Sequence, residues 1–179
     1  MFLRSRHFSR RAAAVSLTAA LAALTTAGLT WNASATTSAA PAASSVRTCT
    51  ADGLRLSTGR QEGAAGSLYL PIRFTNTGRD SCALRGYPGV SVLDSRNRQI
   101  GPAATRSGRS YATVVLAPGH SASAVIRTTN GPIGGACGRT GSYLRIYPPA
   151  SYTSVRIPAH WKVCSHTFQV GPVNTQGAF

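Results

Sequence analysis

Four cysteines, four histidines and four carboxylates carry most of the acid–base and metal-binding capacity of this 179-residue sequence. Their spacing supports little of that chemistry. Cysteine ligands to a metal normally come as C-x-x-C, and Cys49, Cys82, Cys137 and Cys164 stand far apart. Met1 is the only methionine, which also disfavours copper. His160 and His166 flank Cys164, but two imidazoles beside a sulfur engaged in a disulfide make a weak metal site. A serine hydrolase needs an activated nucleophile, and there is no Gly-x-Ser-x-Gly elbow to accompany His120, His160 and His166 or Asp52, Asp80 and Asp94. Glycoside hydrolysis needs two carboxylates across the scissile bond. Asp80 and Asp94 have turn-like neighbours, and Glu62 sits among glycines. These residues predict no catalytic site, no metal and no cofactor.

Binding chemistry has better material. Arg79, Arg85, Arg96, Arg98, Arg106 and Arg109 fall within one stretch of loops and hairpins. Brought together, their guanidinium forks would hold phosphate or carboxylate groups bidentately. Scattered along strands and loops, some would point apart. Tyr147, Tyr152 and Trp161 cluster late in the chain near prolines. Exposed, they could stack on sugar rings; the blander reading packs them in the core or at its rim.

The compartment narrows the choice of partner. Arg4, Arg6, Arg10 and Arg11 precede an alanine- and leucine-rich stretch from Ala12 to Leu29, and Ala33-Ser34-Ala35 offers small residues for cleavage. This is the pattern of a secretory signal peptide over residues 1–35. The apolar run is too diluted by hydroxyls for a spanning helix. Arg10-Arg11 leaves twin-arginine export open beside the general route. Residues 36–48, rich in Ala, Ser and Thr, read as a flexible spacer, and residues 49–179 as one domain. Export also makes an even cysteine count a sign of two disulfides. Three pairings are possible; Cys49–Cys82 with Cys137–Cys164 is preferred, because each would bracket a local strand pair.

The whole chain carries a formal +15, and losing the four leader arginines leaves +11 on residues 36–179, with Lys162 the one lysine. Outside the cytosol nucleic acid is an improbable target. Anionic wall polymers, phospholipid head groups or an envelope protein are the partners such a charge would attract.

The elements that must position these residues follow a period of two. Leu54 and Leu56 begin a strand. Gly59 to Gly66 reads as a glycine-rich connection. Leu68, Leu70, Ile72 and Phe74 form one apolar face, and Pro71 among them predicts an edge strand or a bulge. Val90 to Leu93 and Gln99-Ile100 form a hairpin around residues 94–97, Pro118-Gly119 suits a type II turn, and further strands surround Tyr111–Leu116, Ala122–Ile126, Leu144–Ile146, Val155–Ile157 and Phe168–Val170. About eight short strands without a helical stripe predict an all-β fold, an immunoglobulin-like antiparallel β-sandwich with two disulfides. A closed barrel is the alternative.

The punctuation resembles that of an actinobacterial exported family, domain-of-unknown-function family 4232. The likeness is carried by Gly63-Ala64-Ala65-Gly66-Ser67, Phe74-Thr75-Asn76-Thr77-Gly78, Cys82-Ala83-Leu84-Arg85-Gly86-Tyr87-Pro88-Gly89-Val90 and Leu116-Ala117-Pro118-Gly119. Later pieces are Leu144-Arg145-Ile146-Tyr147-Pro148-Pro149, Val163-Cys164 and Val170-Gly171-Pro172-Val173. It implies an exported, disulfide-bonded β domain and no activity. The reading that follows is a secreted, non-catalytic binding module at the cell envelope. An extracytoplasmic enzyme with a dispersed site, or a structural envelope component without a ligand, stand as the alternatives.

Overall fold

The computed structural model describes residues 45–179. The expected leader, residues 1–35, and the spacer as far as residue 44 lie outside the described residues. The last residues of that spacer take part in the fold: Thr48 bridges Ala83, and Cys49 N–H donates to the Ala83 carbonyl at 3.0 Å.

A single 3₁₀ turn, Ala51–Gly53, precedes eleven strands. They are β1 Leu54–Thr58, β2 Glu62–Ala64, β3 Ser67–Asn76, β4 Cys82–Arg85, β5 Gly89–Leu93, β6 Thr105–Arg106, β7 Thr113–Leu116, β8 Ser121–Thr129, β9 Tyr143–Tyr147, β10 Val155–Pro158 and β11 Gln169–Val170. The largest sheet runs β1-β3-β8-β11-β6, with β2 also on β3; a second runs β10-β9-β5, and β4 pairs β7. All pairs are antiparallel except the two-residue match of β11 with β6.

Alternation in the sequence explains which faces pack. Leu70, Ile72 and Phe74 of β3, Ala122, Ala124 and Ile126 of β8, Val90 and Val92 of β5, and Leu144 and Ile146 of β9 are buried in one core cluster. Leu84 of β4 and Leu116 of β7 join it, so all three sheets share a single interior. Removing that apolar surface from water is the main favourable contribution to folding.

Where the sequence predicts a connection over Gly59–Gly66, β2 pairs with β3, and the tiny β6 also escapes the hydrophobic pattern because both its residues are exposed. Pro71 is not on an edge strand, since β3 has neighbours on both sides. Its carbonyl accepts from Gly59 N–H at 2.8 Å, so its main chain faces the side shared by β1 and β2. There β1 ends opposite Ile72 and β2 begins opposite Tyr69. Gly59 is the next residue in the β1 register, so the bond that Pro71 cannot donate is the one back to the Gly59 carbonyl, and β1 stops pairing there.

Two turns behave as their residues predict. His120 N–H donates to the Ala117 carbonyl at 3.0 Å across Pro118-Gly119, with Gly119 at φ 78°, the type II geometry. Arg98 closes the β5 hairpin by accepting Asp94 N–H at 2.9 Å. Both disulfides form in the preferred pairing, Cys49–Cys82 and Cys137–Cys164, and no cysteine is free.

Candidate cationic and aromatic surface

The Gly-Tyr-Pro-Gly segment builds the densest arrangement of functional side chains. β4 delivers Arg85 to an exposed position, and Gly86 then takes φ 100°, a conformation that L side chains rarely adopt. This reverses the chain and lays Tyr87 beside Tyr111, which leads into β7. A Cβ on Gly86 would stand 3.6 Å from the Tyr111 ring. The two tyrosine rings meet edge to face, centroids 5.6 Å apart at 85°. Arg85 lies over Tyr111 at 5.2 Å and Arg106 over Tyr87 at 5.8 Å. The result is a four-membered array, Arg85–Tyr111–Tyr87–Arg106, with a guanidinium at each end. Aromatic faces attract the cations and hold them out of the chain's own hydrogen bonding. Arg109 anchors the array, its carbonyl accepting the Tyr87 hydroxyl and its guanidinium donating to the main-chain oxygen of Phe179.

Thus three of the six arginines singled out in the sequence come together, and the others do not. β5 leads away from this corner for five residues, about 3.3 Å each, before reaching the hairpin that carries Arg96 and Arg98. There Asp94 accepts from Arg98 Nε at 3.1 Å and from the main-chain N–H groups of Arg96 and Arg98 at 2.9 Å each. The main-chain N–H of Arg98 is foremost in holding the Asp94 carboxyl below its ordinary value, joined by Arg96 N–H and the Arg98 guanidinium, and opposed by partial burial. Arg79 stands beyond the other end of β4. Its neighbour Asp80 pairs with Arg47 at 3.0 Å, both side chains being well exposed, and such a pair contributes little.

A second cationic face escaped the sequence reading. On the outer side of the β10-β9-β5 sheet, Tyr143, Arg145 and Tyr147 alternate along β9, and Arg156 of β10 lies opposite Arg145. Arg156 covers Tyr143 at 4.7 Å and donates to Asn97 Oδ1. Arg145 donates to Gln99 Oε1. The Tyr-x-Arg-x-Tyr alternation was visible as a signal; the β9–β10 register that sets Arg156 opposite Arg145 was not.

The expected aromatic cluster divides by burial. Tyr152 is fully exposed and Tyr147 half-buried, whereas Trp161 is 1% exposed and belongs to the core. Trp161 therefore cannot offer a ring face to a sugar; its apolar bulk wins the packing position. His120, His160 and His166 are exposed. Among the described residues no three His, Cys, Asp or Glu side chains gather into a metal-holding group, and no helix is long and apolar enough to cross a membrane. Two closed disulfides fit an oxidising environment.

With this geometry in view, comparison with known proteins places the fold in a family. The model of the domain of unknown function DUF4232 matches residues 49–174, and the chain belongs to that family. No curated protein matches. Among solved structures, the chain is similar to the β-glucosidase from Kluyveromyces marxianus at 10% identity and a TM-score of 0.29. That match covers 66% of this chain and 15% of the other.

Proposed function

We propose that this domain is a non-catalytic binding module acting outside the cytosol, at the cell envelope, and that its ligand is an anionic polymer engaged through the Arg85–Tyr111–Tyr87–Arg106 array. The carrying observation is the array itself: two guanidinium groups presented on aromatic supports, 5.2 and 5.8 Å from their rings, with Arg109 beside them. Guanidinium forks suit phosphate and carboxylate oxygens, and the formal +11 on residues 36–179 adds long-range attraction. The tyrosine rings fix the spacing between the two cations, which suits a repeating polyanion better than a single ion. Tyr152 and the Tyr143–Arg156 face offer further contact area for an extended chain.

The test is retention of the protein on teichoic-acid-bearing wall fragments and on anionic vesicles, eluted with increasing salt. Wild type is expected to hold at low salt and release within a few hundred millimolar, since screening shortens the reach of exposed charges to about 8 Å at 0.15 M. Replacing both Arg85 and Arg106 by alanine is expected to bring release to markedly lower salt. Equal retention of that variant would remove the array from the reading. No retention of wild type on either surface would remove the polymer.

A further inference from the structure

Strand β7 has a paired neighbour on one side only. Its register against β4 sets Ala83 opposite Val115 and Arg85 opposite Thr113. Ala83 uses both of its main-chain groups on its far side: its N–H donates to the Arg47 carbonyl at 2.8 Å, and its carbonyl accepts Cys49 N–H at 3.0 Å. Opposed residues of an antiparallel pair alternate between bonded and unbonded. Ala83–Val115 is therefore an unbonded pair, and so is Arg85–Thr113 two residues along. The N–H and C=O of both Thr113 and Val115 point away from β4, and among the described residues nothing pairs with them.

That free edge opens onto a groove of about 490 Å³. Residues 109–115 form one wall, and residues 172–176 with Ala178 and Phe179 form the other. The second wall is firmly held. Asn174 exchanges two main-chain bonds with Ser123, both 2.9 Å, and Val173 N–H donates to the Gly86 carbonyl at 2.9 Å. The Asn174 side chain then closes on Ala178, donating at 2.8 Å and accepting at 3.1 Å. Natural edge strands are usually blunted by lysine, proline or a bulge. β7 reads Thr113-Val114-Val115-Leu116, with Val115 53% exposed, and carries none of these.

We infer that this groove is a strand-addition site, taking an extended segment of a partner protein that carries acidic side chains. Two outward main-chain donors and two acceptors, at alternate residues, match the alternation of an added strand's own main chain. Four residues of strand span about 13 Å, the length of β7. Acidic character follows from the lining, whose one charged side chain is Arg109; its guanidinium spends a single donor on Phe179 and keeps the others. A second copy of this chain is a poor occupant. The second wall leaves room for an isolated segment rather than the edge of a whole sheet, and two domains of formal +11 on residues 36–179 repel. The inference is independent of polymer binding, which uses side-chain guanidinium groups where strand addition uses the main chain.

The probe is a capped heptapeptide of alternating aspartate and valine, added to the full chain while amide hydrogen exchange is followed by NMR. Thr113 and Val115 amides are expected to exchange fast in the free protein and at least about tenfold more slowly with peptide, as newly bonded amides do. The same peptide with N-methylated valines is expected to give no protection. Val115→Pro removes a donor that the fold does not use, so it should leave the rest of the spectrum intact and abolish peptide protection at Thr113. The Arg85→Ala, Arg106→Ala double variant should retain that protection. The inference is overturned if the two amides are already protected without peptide, including protection that grows with protein concentration. It is equally overturned if the N-methylated peptide binds as well as the parent. That second comparison needs only wild-type protein, so it decides the matter even where the proline variant does not fold.

Discussion

Single residues show where local chemistry was readable and where it was not. Asn76 ends the longest strand in a turn-forming sequence, and that much was legible. Its burial was not: it is 2% exposed and every polar group it has is engaged. The side-chain amide donates to the Asp80 and Leu116 carbonyls at 2.9 and 2.8 Å, and its oxygen accepts Gly78 N–H at 2.9 Å. Two of these contacts are made within four residues, but Leu116 lies forty away, and no local pattern announces it. Asp94 is the opposite case. Asp-Ser-Arg-Asn between two apolar runs reads as a hairpin turn, and the carboxylate does cap it. Its pH behaviour follows from the same bonds. The folded-state pKa is depressed, so the carboxylate contributes stability that is fully present above the unfolded value of about 3.9. That contribution is lost as the pH falls through the folded value. Asp94→Asn keeps an oxygen for the two main-chain donors while removing the titration. The thermal midpoint of wild type is expected to exceed that of the variant at neutral pH, and the gap to shrink as both are measured below about pH 4. A gap independent of pH would show that charge at Asp94 does not matter to the hairpin.

At the scale of elements, period-two alternation located β1, β3, β8, β9 and β10, while a β-branched run marked β7 and an apolar hairpin arm marked β5, which is buried on both faces from Val90 to Leu93. It failed for β2 and β6, which are exposed on both faces and exist through main-chain pairing, β2 in a tight hairpin with β3 and β6 with the distant β11. Pro71 misled for a related reason: a proline reports a missing donor, and only the topology shows that β1 and β2 leave a gap at that point. The disulfides tie in segments that lie outside the two larger sheets. Cys49–Cys82 fastens the leading segment to β4, and Cys137–Cys164 fastens the glycine-rich loop after β8 to the segment before β11. They close separations of 33 and 27 residues, for which the chain-entropy model gives about 3–4 kcal/mol each. Replacing Cys137 and Cys164 together by alanine is expected to lower the unfolding free energy in urea by about that amount. It should also speed exchange of the Gly138 and Ser165 amides, which bond to Val163 and Ala136 on either side of the bridge. Unchanged exchange there would mean that the loop is held by its hydrogen bonds and not by the sulfurs.

For the whole molecule, the question is whether charge alone accounts for binding. Composition made the positive balance plain, and the six arginines between Arg79 and Arg109 invited a single patch. Strand geometry divides them instead, since β4 carries Arg85 away from Arg79 and β5 carries the Arg96–Arg98 hairpin away from Tyr87. What the fold assembles in exchange could not be read from linear order: Tyr111 beside Tyr87, with Arg85 over the first ring and Arg106 over the second. A polyanion attracted merely by net charge would be indifferent to this arrangement. One recognised by the array would depend on guanidinium planes lying against tyrosine rings, which an ammonium group cannot imitate. Exchanging Arg85 and Arg106 for lysine keeps the formal charge while removing both the planar fork and most of the stacking. If the array selects the ligand, the lysine variant should be released from wall polymer at clearly lower salt than wild type, while its retention on a plain sulfonate cation-exchange resin stays the same. Identical behaviour on both materials would assign binding to the overall field of the molecule. Weakening on both would mean that the substitutions had disturbed the fold, which the unchanged thermal midpoint of a sound variant would exclude.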